Sequence, residues 1–358
     1  MTNLRSSPPM LAERASGRNN NFNLIRFLAA AMVMLSHSYP LTGNSGEPLS
    51  RLGLSYGFVA VDAFFVISGF LVTGSLFNRA DTLSFIRSRC LRIFPALVVC
   101  NLVCIGVVGL LFTRLPLVDY LKQGQLLRYF VNNTLLVLGP LQSWLPGVFM
   151  DIPFRYTVNG SLWTLPHELR LYLLATIFSV LAFMRGGLIG PHRARVGIIL
   201  IGLVAMGGYL SIHTIVCIEV FQVMEWVPLR LLALFFGGGA LWILRGRVPL
   251  SGRLALLCVA ALLVAGVNIR LFFIVYTLTI PYLVLYGAYA PTGRLWCFNR
   301  LGDYSYGMYI YAFPVQQSIA SLLPGIGVAE MFGLAWLVTL VPAMLSWHLI
   351  EQPLLRLK

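Results

Sequence analysis

An arginine and a histidine on one apolar segment are the first residues in this sequence that could do chemistry together. Arg26 and His37 lie in the apolar segment 23–39. Their separation corresponds to about three helical turns plus roughly 20°, so both side chains share one face, about 16 Å apart along the axis. An arginine can bind an anion there, and an imidazole can act as a base. The alternative is a snorkelling arginine and a hydrogen-bonded structural histidine.

Two carboxylates lie at a comparable depth in other apolar segments. Asp62 is about two turns in from the predicted outer end of the second segment, and Glu168 is about two turns into the fourth. A carboxylate bonded to one imidazole nitrogen fixes the tautomer and leaves the other nitrogen free as a base. We therefore predict that Asp62 is the partner of His37, with Glu168 as the alternative. A purely structural interhelical hydrogen bond is the other interpretation of either acid.

A group of arginines marks the other end of the predicted bundle. Arg87, Arg89 and Arg92 stand where the third apolar segment begins. Together with Arg26 they would form a basic mouth that suits phosphates. The alternative interpretation of any one of these arginines is that it only marks the cytoplasmic side of the membrane, where loops are rich in basic residues.

A pair of small residues lies near the middle of the second apolar segment. Ser68 and Gly69 form this pair. Small residues let two helices approach closely, or they leave room for a thin ligand between helices. Ser68 is therefore a candidate contact for a ligand that enters from the basic mouth.

The composition indicates that these segments lie in a membrane. Hydrophobic residues make up 58% of the 358 residues and charged residues only 11%, too few to cover a soluble domain of this length. The net charge of +14 has an explanation other than nucleic acid, because the basic residues stand in short clusters between apolar runs. We expect contact with the lipid bilayer and none with nucleic acid. No cysteine or histidine spacing predicts a metal site.

Apolar runs of about 20 residues predict an all-α protein with ten transmembrane helices. The predicted spans are 22–40, 55–77, 93–113, 161–183, 196–215, 226–244, 254–268, 271–290, 304–322 and 328–350. With the N-terminus inside, 17 of the 26 basic residues fall in inner segments and six in outer ones, which predicts that both termini are cytoplasmic. Residues 1–20 are then a cytoplasmic tail, and residues 21–358 form a single transmembrane domain. The interrupted apolar stretch 131–150 is expected to be interfacial or re-entrant within a long outer loop.

An ordered series of segments resembles the motifs of the membrane acyltransferase-3 family. The segments are Arg26 with His37, then 61–71, 89–95, 161–168, 301–315 and 350–353. No single motif decides the matter, but the set covers nearly the whole chain in the order of the family. The fold class is accordingly expected to be a polytopic membrane domain.

The resemblance implies O-acylation of an extracytoplasmic carbohydrate, with acetyl-coenzyme A as the usual donor on the cytoplasmic side of a bacterial inner membrane. His37 would match the family's histidine and Arg26 its first-helix arginine, while Arg89 and Arg92 would meet the donor's phosphates. Many members carry a histidine where this chain has Ala312, which excludes a second essential histidine there. The esterase-like domain of larger members is absent, so we expect a stand-alone domain that completes the transfer or hands over to a partner.

The residues and the resemblance together predict a mechanism. The donor would rest its phosphates at the basic mouth and present its thioester near His37, which would act as general base on a hydroxyl of the acceptor. A covalent acyl-imidazole on His37 is the mechanistic alternative. The acceptor would be a saccharide or a lipid-linked glycan, such as O-antigen or exopolysaccharide. A secondary transporter or polysaccharide flippase, with His37 and Asp62 as a proton relay, is the alternative function.

Overall fold

Helices and irregular segments make up the described part of the protein. A computed structural model describes residues 8–15, 17, 19–79, 81–183, 189–215, 226–291 and 293–357, without the side chains of residues 79, 213–215 and 294. Within these ranges there is no β-strand, in agreement with the predicted all-α class. Among the described residues, seven helices are long and apolar enough to cross a membrane, by length and composition. The protein is therefore a polytopic membrane protein.

The longer α-helices of the described ranges are numbered in chain order. They are α1 (Phe22–Leu41), α2 (Tyr56–Arg79), α3 (Thr82–Val103), α4 (Gly124–Leu135), α5 (Leu165–Phe183), α6 (Gly190–Ile215), α7 (Val227–Ile243), α8 (Gly252–Ala265), α9 (Ile269–Tyr289), α10 (Ser305–Leu322) and α11 (Val328–Leu345). Shorter α-helical or 3₁₀ pieces are Leu11–Arg14, Pro48–Leu52, Leu110–Phe112, Leu117–Leu121, Ser161–Thr164, Arg294–Arg300 and Gln352–Leu355. Two π-helical turns, Cys104–Gly109 and Ser346–Glu351, continue α3 and α11.

Each predicted span corresponds to one of these helices. The helices α7 and α8 are apolar but shorter than the seven long ones, and α10 matches the predicted span 304–322. The number of crossings and the position of the termini stay predictions. In the N-terminal tail, residues 1–7, 16 and 18 lie outside the described residues. The tail's Leu11 is buried, and its amide donates to the carbonyl of Val248 between α7 and α8 at 2.8 Å.

The third helix begins well before its predicted start at residue 93. Asp81 caps α3 by accepting hydrogen bonds from two amides of the first turn. Such a cap satisfies donors that would otherwise lack partners and fixes the start of the helix. Arg87, Arg89 and Arg92 therefore lie on helical turns instead of in a loop. The three-residue spacing places Arg89 and Arg92 on neighbouring positions of one face.

Glycines bring α2 and α7 into backbone contact. A side chain on Gly69 would overlap the carbonyl oxygen of Phe235, and one on Gly238 would overlap the carbonyl oxygen of Val66. Only a residue without a Cβ fits at either crossing point. The predicted role of the small pair in close packing is thus confirmed for Gly69.

Helix α10 stands at the centre of the contacts that matter for the site. It packs against α1 on one side and α11 on the other. Pro314 within α10 cannot donate to the carbonyl of Ile310, which is left without its helical partner. Asn159 Nδ2 donates to this carbonyl at 2.9 Å, and the Cys100 thiol approaches it at 3.3 Å. The segment before α5 and helix α3 are therefore anchored to the middle of α10.

Candidate active site

Four charged side chains form an ion cluster at the end of the bundle where α1 begins, termed the inner end after its predicted orientation. Arg92 of α3 pairs with Asp303 at 2.6 Å and with Glu351 at 3.5 Å. Arg26 of α1 also reaches Asp303, at 3.5 Å. These side chains are at most 20% exposed. The ion cluster therefore joins α1, α3 and the ends of α10 and α11, and two guanidinium groups face two carboxyl groups.

Asp303 lies at the centre of the ion cluster, just before α10. Its carboxylate accepts hydrogen bonds from the amide of Ser305 at 3.3 Å and from the hydroxyl of the same residue. Burial alone would raise the pKa of Asp303, but Arg92 and Arg26 outweigh it and lower that pKa below its ordinary value. Asp303 is therefore ionised at neutral pH. Sequence reasoning missed this residue, although an acid inside the motif 301–315 was a usable signal.

Arg89 differs from Arg26 and Arg92 because no carboxylate within the described residues pairs with it. Its Nε donates to Ser88 Oγ at 3.3 Å, and its guanidinium lies 5.5 Å from the centre of the Tyr172 ring. Arg87 is exposed and does not line the cavity described next. Of the four arginines predicted to form the basic mouth, the structure thus brings together Arg26, Arg89 and Arg92.

A narrow cavity of about 90 Å³ opens between these three arginines and extends into the bundle. Five of the predicted site residues line it: Arg26, Arg89, Arg92, Ser68 and Glu168. Phe64 of α2 and Tyr309 of α10, whose ring centroids are 6.0 Å apart, line its far end. A space of this size admits a few water molecules or a thin chain, but it excludes a nucleotide.

Polar groups follow one another along the wall of the cavity. Glu168 accepts hydrogen bonds from Ser68 Oγ at 3.3 Å and from the Tyr172 hydroxyl. The hydroxyls of Thr164 and Tyr309 are 2.6 Å apart. Thr164, Glu168 and Tyr172 recur every four residues, so they form one stripe at the start of α5. This stripe gives the apolar bundle a polar lining from the inner mouth to the far end of the cavity.

His37 lies near the outer end of α1 and does not line this cavity. Its ring packs edge-on against Phe313, with centroids 5.1 Å apart. Its Nδ1 is buried and has no hydrogen-bond partner among the described residues. Phe313 follows Tyr309 by one turn of α10, so His37 lies about one helical turn beyond the far end of the cavity. Arg26 thus faces the start of α10, and His37 faces the middle of the same helix.

Asp62 does not pair with His37, contrary to the preferred prediction. Its carboxylate forms an ion pair with Arg230 of α7 at 2.9 Å and accepts a hydrogen bond from Tyr276 of α9 at 2.8 Å. Both charged side chains are almost completely buried. Glu168 does not contact His37 either, since its partners lie along the cavity wall. The proton relay of the transporter alternative, which needs Asp62 beside His37, is therefore not formed.

The helical phase of α2 explains this difference. The residues of α2 that line the cavity are Val61, Phe64, Phe65 and Ser68, which form one stripe at intervals of three and four. Asp62 is turned by about 100° from Val61 and so faces α7 and α9. A buried guanidinium without a carboxylate is strongly unfavourable. The ion pair with Arg230 therefore holds Asp62 at α7 and away from His37.

The match to a protein family covers nearly the whole chain. A family model described as an acyltransferase domain, Acyl_transf_3, matches residues 19–350. The chain belongs to the acyltransferase-3 family. This match confirms the resemblance of the motifs, and the polytopic fold agrees with it. Within this acyltransferase, the roles of the individual site residues stay predictions.

Two proteins similar to this acyltransferase align over almost their full lengths. An O-acetyl transferase of Shigella phage Sf6 is 30% identical over 349 residues, which cover 94% of this chain and 96% of that protein. Nodulation protein 10 of Rhizobium leguminosarum bv. viciae is 30% identical over 379 residues, covering 97% and 96%. The O-acetyltransferase OatA of Staphylococcus aureus is 27% identical over 47% of this chain and 27% of its own length. No solved structure matches the acyltransferase significantly.

The described residues of the acyltransferase contain no group of three or more histidine, cysteine or acidic side chains placed to hold a metal ion. The two buried thiols near the site, Cys100 and Cys104, lie instead next to Asn159 and Tyr129 in the packing between α3 and α10. The residues that could contact a reactant are therefore those of the inner cavity and His37.

Proposed function

We propose that this acyltransferase moves an acetyl group from acetyl-coenzyme A, on the cytoplasmic side of a bacterial inner membrane, to a hydroxyl of an extracytoplasmic saccharide. The supporting observation is the narrow cavity that runs from the basic mouth to within about one turn of His37. A donor and an acceptor on opposite sides of a membrane can react only if one of them reaches through the protein. The cavity's volume of about 90 Å³ suits the passage of a thin chain.

The donor's charged part stays at the mouth in this proposal. A cavity of about 90 Å³ excludes the nucleotide of coenzyme A and admits its extended pantetheine arm. Arg89 binds the phosphates, because its charge is not already offset by a carboxylate. Arg26 and Arg92 add positive potential from within the ion cluster. Arg87 lies outside the cavity and has no part in this scheme.

The wall of the cavity suits the amide groups of the pantetheine arm. Ser68 offers a hydroxyl, and Glu168 offers carboxylate oxygens that already accept two hydrogen bonds. Such polar groups can hold a flexible chain in position by hydrogen bonds. Phe64 and Tyr309 separate the far end of the cavity from His37, so their rings shift when the thioester arrives.

His37 acts as the general base at the outer end of this passage. Its free imidazole nitrogen takes the proton from the acceptor hydroxyl while that oxygen attacks the thioester carbonyl. The tetrahedral intermediate then breaks its carbon–sulfur bond, and the departing thiolate takes the proton back from the imidazolium. The products are the ester and free coenzyme A. Direct transfer is proposed, and a covalent acyl-imidazole on His37 is the mechanistic alternative.

The names of similar proteins support acetyl as the transferred group. Two of them are an O-acetyl transferase and the O-acetyltransferase OatA. The acceptor class, a saccharide of the cell envelope such as O-antigen or exopolysaccharide, rests on the resemblance of the motifs at 161–168 and 301–315.

Replacing the proposed base tests this function. We expect His37→Ala to lower the rate of acetyl transfer from acetyl-coenzyme A to saccharide by about 100-fold or more, the usual loss when a general base is removed. Transfer is measured with isotopically labelled acetyl groups and the purified, reconstituted protein. His192→Ala is the matched control, because His192 is exposed on α6 and far in sequence from the site. Both variants should keep the melting temperature of the parent protein.

Three results would contradict the proposal or refine it. Full activity of His37→Ala would exclude the histidine as base. Movement of saccharide across a liposome membrane, without any consumption of acetyl-coenzyme A, would establish the transporter alternative. Label that stays on the protein when no acceptor is present, and that disappears in His37→Ala, would replace direct transfer by the acyl-imidazole route.

A further inference from the structure

The two nitrogens of the His37 imidazole lie in different surroundings. Nδ1 is buried and has no hydrogen-bond partner among the described residues, although the residue as a whole is only half-buried. Nε2 is not enclosed in this way. A histidine that acts as a base through one nitrogen needs a hydrogen bond at the other, because that bond decides which nitrogen carries the proton. A proton on Nδ1 therefore requires a buried acceptor.

An unused acceptor of this kind lies on α10. Gln316 is completely buried, and its Nε2 donates to the carbonyl oxygen of Met34 at 2.9 Å and to Ser38 Oγ at 2.8 Å. The other polar atom of the amide, Oε1, is buried and has no hydrogen-bond partner among the described residues. The side chain is thus fixed through its nitrogen, and its oxygen remains available.

Helix geometry places this oxygen in the neighbourhood of His37. Met34 and Ser38, the partners of Gln316, lie within one turn of His37 on α1. Phe313, whose ring contacts that of His37, precedes Gln316 by three residues on α10. Side chains three residues apart on a helix are neighbours, with Cβ atoms about 5–6 Å apart. His37 and Gln316 therefore share one small region of the interface between α1 and α10.

Two other acceptors near the outer end of α1 are occupied or bonded to another segment. Glu47, in the loop after α1, accepts hydrogen bonds from Ser36 Oγ at 3.0 Å and from the amide of Tyr56. Gln317 is as buried as Gln316, but its amide donates to two carbonyl oxygens of the segment before α5. Of the two glutamines, Gln316 is the one whose described hydrogen bonds reach α1.

We propose that Gln316 is a positioning residue for His37. Its Oε1 accepts a hydrogen bond from Nδ1–H, directly or through one water molecule, and so leaves Nε2 without a proton for the acceptor hydroxyl. A buried donor and a buried acceptor that both lack a partner are unfavourable, and this bond satisfies both. It persists when Nε2 takes up a proton, because Nδ1 is a donor in the imidazolium as well. The inference rests on the proposed function, since it concerns the same base.

Nitrogen-15 NMR of the reconstituted protein, with labelled histidine, tests the proposed hydrogen bond. The signals of His37 are identified by their loss in His37→Ala. We expect the neutral ring of the parent protein to carry its proton on Nδ1. In Gln316→Met, which keeps the length of the side chain and removes the acceptor, the proton should be shared between the two nitrogens. A purely structural role of Gln316 would not move this proton.

Acetyl transfer provides the second readout. Gln316→Met should lower kcat by about tenfold, the order of one hydrogen bond, without changing the KM for acetyl-coenzyme A. Gln316→Glu keeps an acceptor oxygen at the same position and should restore most of this loss. Gln317→Met is the matched control, because Gln317 is equally buried and also donates two hydrogen bonds. It should leave the proton of His37 on Nδ1.

The outcomes separate this inference from the proposed function. A proton on Nε2 in the parent protein would overturn the inference, and this measurement needs no variant of Gln316. The same tautomer in Gln316→Met as in the parent, or an equal change in Gln317→Met, would also overturn it. Each of these results leaves the proposed function intact if His37→Ala is inactive. Full activity of His37→Ala would overturn the proposed function, whatever partner the NMR signals assign to Nδ1.

Discussion

Identical side chains in this acyltransferase have different roles because their partners differ. Arg92 faces two carboxyl groups, whereas Arg89 faces a serine hydroxyl and aromatic rings. A guanidinium that is already paired contributes mainly to the fold, and an unpaired one is available to a ligand. Asp62 follows the same rule, because its partner Arg230 withdraws it from the chemistry that its depth suggested.

The two arginines of α3 can be separated by experiment. We expect Arg89→Gln to raise the KM for acetyl-coenzyme A by about tenfold, the usual value of one charge-assisted contact, without changing the melting temperature. Arg92→Gln should instead destabilise the protein by about 3 kcal/mol, because it leaves Asp303 and Glu351 with less positive charge in a buried site. Steady-state kinetics and thermal unfolding of the reconstituted variants provide the two readouts.

A reversed pattern would refute this division of roles. If Arg92→Gln affected only donor binding and Arg89→Gln only stability, the paired arginine would be the ligand contact. Arg87→Gln serves as the control, since Arg87 lies on the same helix, is exposed and does not line the cavity. It should alter neither quantity.

Three faces of helix α2 contact three different parts of the protein. One stripe lines the cavity, Asp62 faces α7 and α9, and Gly69 permits the contact with Phe235. Successive residues of a helix point about 100° apart, so adjacent positions can serve different neighbours. Ser68 and Gly69 therefore divide the two roles that the sequence left open, the first at the cavity and the second at the packing contact.

Packing between α2 and α7 can be tested with two glycines. Gly69→Ala would place a methyl group on the carbonyl oxygen of Phe235, so the two helices must separate. We expect a loss of about 1–3 kcal/mol in the free energy of unfolding, the usual cost of overpacking. Gly237→Ala is the control, because its new Cβ has no neighbour within 4 Å. This second change should be neutral or slightly stabilising, since alanine favours helices.

Thermal unfolding of the two alanine variants measures this difference. Equal stability of both would mean that α2 and α7 are not in backbone contact at this point. A loss of activity in Gly69→Ala that exceeds the loss of folded protein would additionally show that the crossing positions the cavity wall at Ser68.

The whole molecule has chemically different ends. The inner end carries the ion cluster and the mouth of the cavity, and the opposite end carries a groove of about 610 Å³ whose charged residues are Arg114, Asp151 and Arg155. The proposed transfer between two compartments would use this asymmetry, because each reactant would be recognised on its own side. The predicted topology, with both termini in the cytoplasm, therefore also predicts which end of the protein meets which reactant.

Two native cysteines can test this topology. Cys90 and Cys297 are exposed and lie at the inner end. We expect a membrane-impermeant maleimide to spare both in intact spheroplasts and to label both in inverted membrane vesicles, since the predicted topology directs the inner end to the cytoplasm. Ser45→Cys, at an exposed position in the loop after α1, should show the opposite pattern.

The labelling pattern also tests two alternative topologies. Labelling of Cys90 and Cys297 from outside would invert the orientation, which would place the donor mouth on the wrong side for coenzyme A. Labelling of one but not the other would mean an odd number of crossings between α3 and α10. In either case the assignment of a donor end and an acceptor end would fail.

The residues of the site were largely accessible to sequence reasoning, but their pairing was not. Spacing within one helix placed Arg26 and His37 on a common face, and both contact the region of α10. Pairing between helices depends on how each helix is rotated about its axis. Depth alone suggested Asp62 beside His37, and the rotation of α2 placed it beside Arg230 instead. Asp303 was missed although it stands inside the motif 301–315, because its ion pairs with α1 and α3 exist only once these helices are packed together.

The sequence by itself determined the class of this protein. Apolar runs predicted the helices, and the order of the motifs indicated the family, because both can be read along the chain without knowing how it packs. Only the tertiary structure decided which charges remain available. Ion pairs between α1, α3 and the start of α10 withdraw Arg26 and Arg92 into the ion cluster, and another withdraws Asp62, so we propose Arg89 and His37 as the contacts of the reactants. The physical reason is that a buried charge takes the nearest opposite charge, and packing determines which one is nearest.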